Sequence, residues 1–127
     1  MIVDDDGRNV FALTSVLEAH GAEVRYADNG RDAIAQLEAD PDVDIIVMDV
    51  MMPEMDGYET TRRIRETMDM RSLPIIALTA NAMEGDREKC LAAGASDYLS
   101  KPVSPEELVA RVRRWVVNAE AGQKNGG

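Results

Sequence analysis

The chain has 127 residues, 45% of them hydrophobic and 30% charged, with 24 acidic against 14 basic side chains and a formal net charge of −10. That length and apolar content suit one domain with a real core. The acidity argues against nucleic acid and against direct contact with an anionic membrane, because phosphate backbones and headgroups are held by Lys and Arg.

The sequence contains no apolar run long enough to span a bilayer and no secretory signal pattern. Its one cysteine, Cys90, has no partner for an internal disulfide. Both features lead to the expectation of a cytoplasmic protein.

In chain order, the first predicted strand is short. Met1-Ile2-Val3 runs directly into Asp4, Asp5 and Asp6, which suggests that the natural chain begins earlier. Three adjacent carboxylates repel one another unless a cation sits among them. Val10, Leu13 and Leu17 then recur at helical spacing, with Asp6 placed to cap the helix and His20-Gly21 to end it. "EVRYA" (23–27) alternates like a strand. Asn29 caps a second helix, with Ala33, Ile34 and Leu37 on its inner face, and Asp40-Pro41 stops it. "DIIVMD" (44–49) is a continuous apolar run, as expected of a strand buried on both faces. After the loop "DVMMPEMDG", residues Tyr58, Thr61, Ile64 and Met68 share a helix face. "LPIIALTA" (73–80) is another buried strand. A fourth helix carries Met83, Arg87, Cys90 and Leu91 and ends at Gly94. "DYLS" (97–100) is the fifth strand. Ser104-Pro105-Glu106-Glu107 opens the last helix, whose core stripe is Leu108, Val112, Trp115 and Val116. The tail "AGQKNGG" (121–127) has the composition of a linker.

A strand followed by a helix, five times over, predicts a parallel sheet covered on both faces. In such sheets ligands bind beyond the carboxyl ends of the strands. There the sequence places Asp4 and Asp5, Asp49, Thr79 and Lys101, each at the end of a different strand. Each has an ordinary alternative: a solvated charge run, a strand-end threonine, a lysine in a turn. Their convergence on one edge outweighs those alternatives. Met48, Met51, Met52 and Met55 are strand core and loop packing rather than a soft-metal site, since the nearby acids are hard ligands.

From Val3 to about Val117, the motifs "VDDD", "VMDVMMPEMDG", "ALTA" and "DYLSKP" resemble, in order and spacing, the receiver domains of bacterial two-component response regulators. The resemblance implies a flavodoxin-like, doubly wound sheet of order 2-1-3-4-5 with five helices, a receiver domain over 1–119, and a disordered tail or linker over 120–127. It implies that Asp49 is the phosphoryl acceptor and that Mg²⁺ is the cofactor. The metal would be held by Asp5, Asp49 and the backbone carbonyl of Met51, with Asp4 acting through water. Lys101 would pair with the phosphoryl group, Thr79 would be the switch hydroxyl, and Tyr98 the rotating aromatic. The Lys101–Pro102 bond is expected to be cis. The partner would be a histidine kinase or a histidine phosphotransfer protein, and the chain a monomer or weak homodimer that catalyses only its own phosphorylation and dephosphorylation. Met51 and Asn81 would flank the path of the hydrolytic water. The stretch "LTANAMEGDREKCLAAGASDYLSKP" looks most like receivers of hybrid sensor kinases.

Two other functions fit the same architecture. An aspartyl-nucleophile phosphatase would want a second acid two residues after the nucleophile, where this chain has Met51. A flavodoxin-like FMN electron carrier would want a phosphate-binding loop after the first strand, where three aspartates would repel the phosphate.

Overall fold

The computed structural model describes residues 1–52, 55–67, 72–80 and 84–126, with side chains through 117 apart from 67 and 84. Met68, Asn81 and Met83, singled out in the sequence, lie outside the described residues. The elements alternate as expected. They are β1 (Ile2–Val3), α1 (Gly7–Ala19), β2 (Tyr26–Ala27), α2 (Gly30–Ala39), β3 (Ile46–Asp49), α3 (Gly57–Thr67), β4 (Ile75–Thr79), α4 (Glu84–Ala93), β5 (Asp97–Ser100) and α5 (Pro105–Gly126). The strands form one sheet of order β2-β1-β3-β4-β5, and every neighbouring pair is parallel.

Alternation along each strand sorts the core into two layers. Val3, Ile46, Met48 and Ile75 point to the face covered by α2 and α3, where they meet Ala33, Leu37 and Ile64. Ile2, Val47, Ile76 and Leu78 point to the other face and meet Val10, Leu13 and Leu17 of α1 and Leu108 of α5. Ala77 packs under α4 with Cys90, Val50 and Ala95. Leu37, Ile64 and Leu108 are fully buried, each worth about 1.5–3 kcal/mol relative to exposure.

Helix ends follow the local sequence. The Asp6 carboxylate accepts a hydrogen bond from Arg8 N at 3.0 Å, and Asn29 accepts one from Asp32 N at 2.7 Å. Gly21 takes φ of 90° just past α1 and Gly94 takes φ of 109° past α4, conformations that glycine adopts at least cost. The His20 ring donates to Val16 O at 2.9 Å, closing the end of α1.

Two details depart from the sequence reading. Only Tyr26–Ala27 of "EVRYA" is strand, because β1 offers just Ile2 and Val3 to pair with it. Leu91 on α4 is exposed while Cys90 is buried.

Candidate functional site

Because all five strands run the same way, their carboxyl ends share one edge of the sheet. Asp4 follows β1 there and is fully buried. Its Oδ1 accepts from the backbone N–H of Asp6 at 2.9 Å, and its Oδ2 accepts from the side-chain amide of Asn9. Asp5 beside it is exposed. Asp49 ends β3 and is 2% exposed. Carboxylate oxygens of Asp4, Asp5 and Asp49 all lie within 4.8 Å of one another.

Among the described residues two donors hold Asp49. Lys101 Nζ reaches its Oδ1 at 2.9 Å, and Met51 N reaches the same oxygen at 3.2 Å. Burial, aided by the charge of Asp4, still pushes the Asp49 carboxyl above the usual carboxylate range, against the pull of Lys101. Burial works against the charge on Lys101, but its contact with Asp49, together with Asp4 and Asp6, raises its pKa overall. The pocket therefore has an excess of negative charge that one ammonium does not cancel. Three clustered oxygen ligands with that charge suit a hard divalent cation such as Mg²⁺.

The loop after β3 is fixed from below. Gly57 N donates to Val50 O at 3.2 Å. A Cβ on Gly57 would run into the Asp49 carbonyl oxygen and stand 2.7 Å from Val50 Cα, so only glycine lets α3 start this close to the site. Asp56 caps that helix by accepting from Glu59 N at 2.9 Å. Met52 and Met55 pack inward, whereas Met51 is 69% exposed, which corrects its reading as loop packing.

Thr79 ends β4, buried, and its hydroxyl donates to Asp86 of α4 at 2.7 Å. Tyr98, in β5, is half-buried, with the Arg87 guanidinium 5.8 Å from its ring centroid. The Lys101–Pro102 bond is cis. The structure thus brings Asp4, Asp5, Asp49 and Lys101 together and sets Thr79 at the end of the neighbouring strand. Sequence reasoning missed Asn9 and Asp86. Asn9 sits within the first turn of α1 with no pattern to mark it. Asp86 is lost in the charged run "EGDREK".

The chain matches the family described as response regulator receiver domain over residues 1–113. It is 44% identical over 115 residues to an uncharacterized 14.6 kDa protein of Leptolyngbya boryana, covering 91% of this chain and 87% of that one. It is 40% identical over 118 residues to the sensor histidine kinase GacS of Pseudomonas protegens, covering 91% of this chain but only 13% of the kinase. Among solved structures, the receiver domain of a sensor histidine kinase from Pseudomonas aeruginosa is 42% identical with a TM-score of 0.82, over 91% of this chain and 93% of that one; it holds a magnesium ion in its active-site cleft. A response regulator from Chloroflexus aurantiacus is 39% identical with a TM-score of 0.86, over 91% of this chain and 94% of that one. No helix among the described residues is long and apolar enough to cross a membrane. Sequence match and fold agree, and the chain belongs to the response regulator receiver domain family.

Proposed function

We propose that this domain takes a phosphoryl group from the phosphohistidine of a histidine kinase or phosphotransfer protein onto Asp49. The single observation that carries the reading is the Asp49 carboxylate at the sheet edge, bonded to Lys101 and clustered with Asp4 and Asp5. A carboxylate oxygen of Asp49 is the nucleophile. It attacks phosphorus as the bond to the donor's imidazole nitrogen breaks, and the nitrogen departs with the electron pair. Lys101 then pairs with a phosphoryl oxygen, and Thr79 can donate to another.

Mg²⁺, when bound, neutralises charge on the phosphoryl oxygens. Asp5 and Asp49 would hold it, with the backbone carbonyl of Met51. Both oxygens of Asp4 already accept hydrogen bonds from Asp6 N and Asn9, which favours its acting through water. Movement of Thr79 toward the phosphoryl group would let Tyr98 turn inward and change the face formed by α4, β5 and α5, a shift between two populations.

The kinases among the relatives are far longer than this chain, as its 13% share of GacS indicates. Membership in a hybrid kinase and a cytoplasmic location therefore belong to this proposal. Incubation with acetyl phosphate tests it: one acid-stable, base-labile phosphoryl group should be gained only when Mg²⁺ is present. Uptake indifferent to Mg²⁺, or none at all, would contradict the reading.

A further inference from the structure

A threonine hydroxyl has one proton to donate. In this structure the Thr79 proton goes to Asp86: Thr79 Oγ1 stands 2.7 Å from Asp86 Oδ2. A carboxylate can only accept, so the direction of the bond is settled. Thr79 is buried at the end of β4, and its neighbour across the sheet is the strand that ends in Asp49. For Thr79 to donate to an oxygen at Asp49, the bond to Asp86 must break first.

Asp86 lies within the first turn of α4, and its sequence neighbour Arg87 stands over the Tyr98 ring. One turn on, Cys90 is buried in the cluster that Tyr98 joins. The same stretch of α4 therefore engages both Thr79 and Tyr98.

We propose that Asp86 is a latch on the switch: its carboxylate holds the Thr79 hydroxyl toward α4 and sets how readily that hydroxyl turns to a phosphoryl group on Asp49. The proposal rests on the reading of Thr79 as a donor to that group. Asp86 is a positioning residue, acting through Thr79, and is not a member of the carboxylate cluster of Asp4, Asp5 and Asp49. Its effect is on the balance between two states. A latch that stabilises the resting state lowers apparent affinity for anything that requires the other one.

The test is a titration with beryllofluoride in saturating Mg²⁺, followed by the amide signals of Leu78, Thr79 and Lys101. Asp86 is half-exposed on a helix, so Asp86→Ala substitutes a good helix former at a site with little packing to lose. Loss of a charge-assisted hydrogen bond, discounted for exposure, should tighten apparent binding by roughly five- to tenfold.

Removing a negative charge could tighten binding without any latch. A second background separates the two causes. In Thr79→Val the hydroxyl is gone, so a latch has nothing to hold and Asp86→Ala should add nothing there. An equal gain in both backgrounds would overturn the latch and leave simple charge repulsion. Asp86→Ala binding no tighter than the unsubstituted protein would also overturn it. Failure of the unsubstituted protein to bind beryllofluoride, or undiminished binding in Asp49→Asn, would instead overturn the phosphoacceptor reading on which the latch rests.

Discussion

Lys101 Nζ stands 2.9 Å from Oδ1 of Asp49, and this contact ties the end of the edge strand β5 to the end of the central strand β3. Among the described residues Lys101 is the one cation bonded to Asp49, and it also faces the charge of Asp4. It is thus placed to meet charge that arrives on Asp49 as well as the charge already there. Lys101→Ala should slow phosphoryl uptake from acetyl phosphate by roughly a hundredfold, the low end of the loss when one preorganised donor is removed from a reacting centre. Initial rates at fixed Mg²⁺ check this; a rate within twofold of the unsubstituted domain would show that Lys101 plays no part.

Mg²⁺ should stabilise the fold. At a concentration of about 100 Kd, a ligand bound only by the native state adds about 2.7 kcal/mol. The melting temperature should climb with Mg²⁺ and stop responding in Asp5→Ala, which removes the exposed member of the cluster. In metal-free buffer the sign should reverse, with Asp5→Asn slightly more stable than the parent because one of three repelling carboxylates is gone. Thermal scans with and without Mg²⁺ on both variants decide it.

Gly57→Ala should destabilise the domain by about 2 kcal/mol or more, toward the upper end of the cost of overpacking, because the clash is with backbone and not with a flexible side chain. Urea unfolding measures this. Since the atoms met include the carbonyl of Asp49 itself, phosphoryl uptake should fall in the folded fraction too.

Much of this was legible in the sequence. The periodicity of Val10, Leu13 and Leu17, the caps at Asp6 and Asn29, and the unbroken apolar runs of β3 and β4 are local signals, and each produced the element expected. The convergence of Asp4, Asp5, Asp49 and Lys101 was legible because strand ends in a parallel sheet must share an edge. Asp86 and Asn9 were not legible. Each acts through one hydrogen bond across a gap in sequence, and neither periodicity nor composition marks a polar residue that faces inward. The length of β2 was hidden for a related reason: it is set by how much of β1 is available to pair, not by the residues of "EVRYA".

Stability should depend on pH through Asp97. Burial alone would raise its pKa, but hydrogen bonds from Trp115, Tyr98 N and Arg111 outweigh that and hold the carboxyl below the usual range. Trp115 Nε1 lies 2.9 Å and Arg111 Nη1 2.8 Å from Oδ2. A lowered folded pKa contributes stability above the unfolded value of about 3.9, and that contribution drains away as pH falls through the folded value. At pH 7, Asp97→Asn should cost about 1–2 kcal/mol after discounting for partial exposure. The gap between variant and parent should close in acid. Trp115 is the only tryptophan in the chain, so its fluorescence should report the same transition. A gap that stays constant down to acid pH would contradict this assignment.

Met51 is exposed beside the site and has no group that can orient water. Met51→Asn should speed loss of the phosphoryl group once the donor is removed, since the amide can hold a water where the thioether cannot. Decay of the phosphorylated species in excess Mg²⁺ is the readout. A rate unchanged or slower would mean that water access at this position does not set the lifetime.

That Asp49 accepts the phosphoryl group is tested most directly by mapping the modified residue. The domain is incubated with acetyl phosphate and Mg²⁺, the acyl phosphate is trapped by borohydride reduction, and the peptides are sequenced by mass spectrometry. The modification should fall on Asp49 alone, and Asp49→Asn should abolish it while leaving the fold intact. Modification at Asp4 or Asp5, or uptake undiminished in Asp49→Asn, would contradict the assignment.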